Sequence, residues 1–216
     1  MKLYKKYILL LSLLIFLSIS SCSNEQKKTL PIYNPADLNP KLVDKNLRNK
    51  NLNHTVANFN LINQNGESIT QENYKDKIYI TDFFFTRCQT FCPIMTDNMV
   101  KIQKEFLNDD EIMFLSLSVT PDIDSIPILR DYANKKGVID AKWNVTTGNK
   151  KHIYELARKS YFAVFEKGDG GLQDFIHTSN FILVDKKKQI RGIYNGMNDE
   201  DIKQIIKDVK TLKTSL

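Results

Sequence analysis

Histidine and cysteine are scarce in this chain, with three of each in 216 residues. A structural zinc site normally takes four protein ligands. Zinc would therefore need two of the three histidines beside a cysteine pair. Acidic residues are missing altogether before Cys22, where Lys2, Lys5 and Lys6 fall. The apolar run from Tyr7 to about Leu17 is too short for a stable membrane span, which needs about 20 residues. No internal repeat is visible. A large charge excess is absent too. Beyond residue 21 the chain carries 28 Lys and Arg against 25 acids, a net +3. So small a balance gives no reason to expect nucleic-acid binding. The run Lys186 to Lys188 reads as a solvated turn.

What the N-terminus does contain has a clear order. A basic stretch precedes the apolar run, and small residues follow, which is the layout of a secretory signal peptide. Ile19-Ser20-Ser21-Cys22 then resembles a lipobox, where bacteria cleave before a cysteine and attach lipid to it. The expected division is a signal peptide over 1–21, a tether over 22–52 anchored by lipid on Cys22, and a folded domain over 53–216. Pro31, Pro35 and Pro40 interrupt the polar tether. The expected location is the cell envelope, with the domain exported and held at a membrane. An uncleaved signal anchor would also leave the domain outside the cytoplasm. Two cysteines then remain, Cys88 and Cys92, in a compartment that favours oxidation. So close a pair is a disulfide, a metal site or a redox couple.

Periodicity places the elements. Val56, Phe59 and Leu61, then Asn65-Gly66 and Ile69, predict a β-hairpin with an Asn-Gly turn. Lys77 to Phe85 is a β-branched and aromatic run typical of a buried central strand. Met95, Met99, Ile102 and Phe106 recur at helical spacing, so a helix starts near Pro93. Ile112 to Val119 is a second buried strand. Ile126, Leu129 and Tyr132 belong to a helix ending near Gly137. Trp143 and Val145 mark a short strand, and Ile153, Leu156 and Ala157 a third helix begun near Asn149. Phe181–Val184 and Ile190–Tyr194 flank a Lys-rich turn, and Asp199–Leu212 forms a last amphipathic helix. Strands alternating with helices imply an α/β sheet with parallel pairings, flanked by helices. A strand, a cysteine motif opening a helix, further βα units and a closing hairpin make the thioredoxin-type arrangement.

The motif Phe85-Thr86-Arg87-Cys88-Gln89-Thr90-Phe91-Cys92-Pro93 lies where that strand meets its helix. Free N–H groups and the helix dipole favour thiolates there. Residues four apart on a helical turn sit about 5–6 Å apart at Cβ, so both sulfurs can face one point. The spacing suits a disulfide or a two-sulfur metal clamp. Two thiolates are soft ligands that select Cu(I), though zinc also accepts them. Two sulfurs and one imidazole suit copper better than zinc.

His177 follows Gly168, Gly170 and Gly171, on or beside a flexible loop able to swing toward the motif. His54 lies at the edge of the tether and His152 on the third helix, where structural or solvated roles are expected. Met95 and Met99 read as core rather than as thioether ligands. Asp122 and Asp124 follow the second strand, where functional residues collect in open α/β folds. Capping of the helix before Ile126 is their plainer role.

Taken together, these residues resemble the Sco/SenC family of copper-binding cytochrome oxidase assembly proteins. The likeness runs through Asp82-Phe83-Phe84-Phe85-Thr86 before the cysteines, Ser118-Val119-Thr120-Pro121-Asp122-Ile123-Asp124, Trp143-Asn144-Val145-Thr146-Thr147-Gly148, and His177-Thr178-Ser179 with Leu183-Val184-Asp185. The tether segment Leu30-Pro31-Ile32-Tyr33-Asn34-Pro35 is similar to lipid-anchored bacterial members. The resemblance implies a thioredoxin-like fold that binds Cu(I) or Cu(II). Cys88 and Cys92 would be its thiolate ligands and His177 its imidazole ligand. It also implies delivery of copper to the dinuclear CuA centre of cytochrome c oxidase subunit II, or reduction of that centre's thiols. Many members have Pro after the first cysteine, where this chain has Gln89. The histidine is often preceded by Asp, where this chain has Ile176.

Two functions follow. A metallochaperone captures one copper reversibly and needs all three side chains. A thiol–disulfide oxidoreductase needs only Cys88 and Cys92, one of them a low-pKa attacking thiol. A peroxidase-like enzyme on the same fold would be marked by rapid loss of peroxide at one cysteine, and nothing local argues for it.

Overall fold

The computed structural model describes residues 29–38, 53–171 and 173–215. The expected signal peptide, Cys22 and most of the tether lie outside the described residues.

Seven strands form one mixed sheet: β1 Asn60–Asn63, β2 Ser68–Thr70, β3 Ile78–Phe84, β4 Ile112–Ser118, β5 Trp143–Thr147, β6 Asn180–Val184 and β7 Ile190–Asn195. Their order across the sheet is β2-β1-β5-β4-β3-β6-β7. The central trio β3, β4 and β5 is parallel. The outer hairpins β1–β2 and β6–β7 join it antiparallel, through β5 and β3 respectively. All seven residues of β3 are buried, as expected of a strand covered on both faces.

Besides the short helical turns Pro35–Leu38 and Gln71–Tyr74, four longer helices occur among the described residues: α1 Phe91–Glu105, α2 Ile126–Lys136, α3 Lys150–Glu155 and α4 Asp199–Ser215. Alternation along β3 divides the core in two. Ile78, Ile80 and Phe84 face α1, α2 and α4, meeting Met95, Met99, Leu129 and Ile205. Tyr79 and Phe83 face α3, meeting Ile153, Tyr154 and Ala157. By the same parity Asp82 points to the α1 side. This is the thioredoxin-like arrangement read from the element order.

Local chemistry sets several ends. Gly66, at φ 78°, turns the Asn65-Gly66 hairpin, and Gly137, at φ 74°, caps α2. Both are conformations that favour glycine. Helix α3 begins with the Asn149 side chain accepting from the His152 N–H, then widens into a π-turn over Leu156–Ser160. Tyr161 caps that turn, and the next residue, buried Phe162, is held at φ 51°.

The stretch 29–38, part of the segment read as a tether, packs on the domain. Arg191 donates from Nη2 to the Leu30 carbonyl at 2.6 Å and from Nε to the Pro31 carbonyl at 2.8 Å. Tyr33 bridges to Ile190, and Leu30 enters the core. A buried Arg191–Asp185 pair holds the guanidinium in place. Among the described residues no helix is long and apolar enough to cross a membrane.

Candidate metal centre

The C-terminal ends of β3 and β4 carry the site. Beyond Phe84 the chain leaves the sheet and enters α1 through Cys88 and Cys92, both free thiols. Helix α1 starts at Phe91, two residues before Pro93. Its N-cap residue Thr90 makes no side-chain capping hydrogen bond. Cys88 Sγ serves instead, accepting from the Cys92 N–H at 3.4 Å. Burial by itself would raise the Cys88 thiol. The N–H groups of Cys92, Thr90 and Phe91 outweigh it and bring the thiol down from 9.0 to about 7. These are the unpaired donors of a helix N-terminus acting on an anion.

Cys92 is the opposite case. It is 5% exposed and belongs to the same apolar cluster as Met95 and Met99. Burial pushes its thiol up to about 12; the Phe85 backbone works against this, while Cys88 and Asp82 add to it. Asp82 lies under α1, and its buried carboxylate accepts from Ser116 Oγ at 2.5 Å. The indole N–H of Trp143 donates to that same Ser116 oxygen at 2.9 Å. Burial raises the Asp82 carboxyl from 3.8 to about 7 against the Ser116 hydrogen bond. The site thus pairs one accessible, easily ionised sulfur with one buried, protonated sulfur.

Asp124 fastens this loop to the sheet. Its fully buried carboxylate accepts from Thr86 Oγ1 at 2.5 Å, Ser118 Oγ at 2.5 Å and Thr120 Oγ1 at 3.0 Å. It does not cap α2, whose N-cap is Ser125. Asp122 is exposed. The sequence signals for Asp124 were its position after a strand and its place in the stretch Ser118–Asp124 that carries the resemblance; its partners come from two separate segments.

His177 sits on the neighbouring segment before β6. Its exposed ring packs edge-on against Phe91, with centroids 5.1 Å apart. Two residues earlier, Phe175 packs the same way against Phe85 at 5.2 Å. These two aromatic pairs lay residues 175–177 along the cysteine loop. Ile176, where an Asp is common, is buried in the apolar cluster on the α3 face and anchors the segment from below. Thr178 Oγ1 and Asn180 Nδ2 both donate to the Ala163 carbonyl at 3.1 Å. Upstream, Arg158 grips Asp174 with two bonds of 2.7 and 2.6 Å, and Gly170 N–H donates to the same carboxylate at 2.7 Å.

The structure therefore brings Cys88 and Cys92 together and sets His177 one aromatic ring away. Among the described residues, no three His, Cys, Asp or Glu side chains are gathered closely enough to hold a metal ion. The other histidines lie elsewhere. His54 Nε2 is 2.7 Å from the Ser160 carbonyl, with its ring against Phe162. His152 Nε2 accepts from the Asn60 N–H. Met95 and Met99 are fully buried core residues. Two sulfurs with an adjacent imidazole form a soft donor set that fits copper.

Comparison with known proteins agrees with this architecture. The family pattern SCO1/SenC matches residues 48–214. A SCO1/SenC family lipoprotein from Bacillus anthracis superposes with a TM-score of 0.66 and 32% identity, over 76% of this chain and 98% of that one. BsSco, described as a member of the Sco family of cytochrome c oxidase assembly proteins with a disulfide switch, gives 0.64 and 33%, over 76% and 95%. Yeast Sco1 with copper bound shares the fold at 0.56 and 20% identity, over 73% and 89%. The chain belongs to the SCO1/SenC family.

Proposed function

We propose that this chain is a copper chaperone of the cell envelope, tethered by lipid on Cys22. It captures one copper ion as cargo through Cys88, Cys92 and His177. It serves maturation of the CuA centre in cytochrome c oxidase subunit II. The observation that carries the reading is the low-pKa Cys88 thiol, bonded to the α1 N-terminus beside Cys92, with His177 packed on the intervening Phe91. A metal replaces protons on thiols, so a half-ionised, partly exposed sulfur gives the ion a first foothold at neutral pH. Yeast Sco1 binds copper on this fold, BsSco belongs to a family of oxidase assembly proteins, and the Bacillus anthracis relative is a lipoprotein. Those relatives support the cargo, the client and the anchor.

A second reading, reduction of the client's cysteines, is favoured by the unequal thiols. Cys88 thiolate would attack a partner disulfide and form a mixed disulfide, releasing one partner thiolate. Cys92 would lose its proton and attack Cys88, releasing the second. Two electrons pass to the partner and a Cys88–Cys92 disulfide remains.

The deciding experiment is anaerobic Cu(I) titration of the reduced full chain against a chelator, with Cys88→Ser and His177→Ala alongside. One equivalent is expected, bound more weakly in both variants. A wild-type chain that retains no copper, or His177→Ala with unchanged affinity, contradicts the assignment. Reduction of a CuA-type peptide disulfide that survives His177→Ala unchanged would establish the second activity.

A further inference from the structure

A cavity of about 480 Å³ opens beside the cysteine loop, lined by Phe91, Phe165, Glu166, His177 and Met197 among others. Neither cysteine lines it. Met197 differs from the core methionines Met95 and Met99, which are fully buried. It sits half-buried in the turn between β7 and α4. That turn is held on three sides. The Gly196 N–H donates to the Ser179 carbonyl at 2.7 Å, two residues from His177. The Gly196 carbonyl accepts from Asn98 Nδ2 of α1 at 2.8 Å. The Met197 N–H donates to Asn195 Oδ1 at 3.0 Å. A thioether and an imidazole are thus fixed on one cavity, next to the helix that begins at the dithiol.

We propose that Met197 and His177 form a second, weaker binding site for a soft monovalent metal ion, a waystation for Cu(I) moving to or from Cys88 and Cys92. Thioethers and imidazoles both ligate Cu(I), and a thioether has no proton to lose. An ion leaving a small chelator meets in Met197 a ligand that needs none of the deprotonation that the thiols require. Transfer inward is ligand exchange: the copper–thioether bond gives way to copper–thiolate bonds while the His177 imidazole stays on the ion. The thiols release their protons to solvent, and copper stays Cu(I) throughout. Phe91, whose ring meets His177 and whose backbone adjoins Cys92, links the two stations.

This inference rests on the copper reading, and the test separates the two. The full chain in detergent is labelled with ¹³C-methyl methionine and titrated with Cu(I) under anaerobic conditions, as wild type and as the Cys88→Ser/Cys92→Ser variant. In the variant, the Met197 methyl resonance shifts to saturation with one equivalent while those of Met95 and Met99 stay fixed. Adding Met197→Leu or His177→Ala weakens this binding, read by competition with a Cu(I) chelator, about tenfold or more, at least the effect of losing a supporting residue. Leu conserves volume, and unchanged Met95 and Met99 resonances verify the fold. If wild type holds no Cu(I), the copper reading fails and the waystation with it. If wild type binds but the variant leaves the Met197 methyl unmoved, or Met197→Leu binds as tightly as its parent, the waystation alone is overturned.

Discussion

Cys88 and Cys92 are four residues apart, yet their environments pull the thiols in opposite directions. The helix N–H groups draw Cys88 to about 7, and burial pushes Cys92 to about 12. Alkylation of the reduced chain by iodoacetamide, resolved by residue with mass spectrometry, should be half-maximal near pH 7 at Cys88. Cys92 should stay unmodified until well above pH 9. Equal rates at both would contradict the asymmetry. Asp82 makes a different prediction. Burial lifts its carboxyl to about 7, so the folded state prefers it protonated. That preference is fully present below its ordinary value of 3.8 and is lost as pH rises through about 7. The urea midpoint of the wild type should therefore fall between pH 5 and pH 8. Asp82→Asn, which has no carboxyl to ionise, should lose that slope. The dithiol itself was legible in the sequence, because cysteines at a strand–helix junction have few uses. The split between the two sulfurs was not, since it depends on which one faces the apolar cluster.

At the scale of elements, most of the chain was readable because period and punctuation agreed. The buried run before Cys88 is β3, Asn65-Gly66 turns β1 into β2, and Gly137 ends α2. Helix α1 starts at Phe91, two residues before Pro93 and so near the expected place, with the Cys88 sulfur taking the capping place that the Thr90 side chain leaves open. The π-turn after α3 carries no sequence signature. It arises where Phe162 is driven inward and the Ala163 carbonyl must serve Thr178 and Asn180. Asp124 was singled out by its place after a strand and within a stretch that carries the resemblance, neither of which names its partners. The structure makes it the pin between β4 and the cysteine loop. Asp124→Ala removes a buried acceptor from three hydroxyl donors, each costing about 1–3 kcal/mol if left unpaired. Chemical denaturation should show a loss of at least about 2 kcal/mol. Copper affinity should fall as the loop loosens. Unchanged stability would show that the donors find other partners.

For the molecule as a whole, the parallel trio at the centre sets β3 and β4 side by side, so their C-terminal ends converge on one edge. The cysteine loop comes from one of these ends and Asp124 from beyond the other. The hairpin β6–β7 pairs with β3 and lays His177 alongside. Parallel order and buried strands were legible from the alternation of elements. The closeness of residues 177 and 88 was not, because nothing local in either segment encodes a pairing across ninety positions; the resemblance supplied that link.

The central claim is that two sulfurs and one imidazole from these segments close on a single copper ion. X-ray absorption at the copper edge of the singly loaded, reduced chain tests it most directly. The account predicts two sulfur scatterers and one imidazole per copper, with the imidazole signal lost in His177→Ala. A copper shell without two sulfurs, or an imidazole signal that survives His177→Ala, would contradict it.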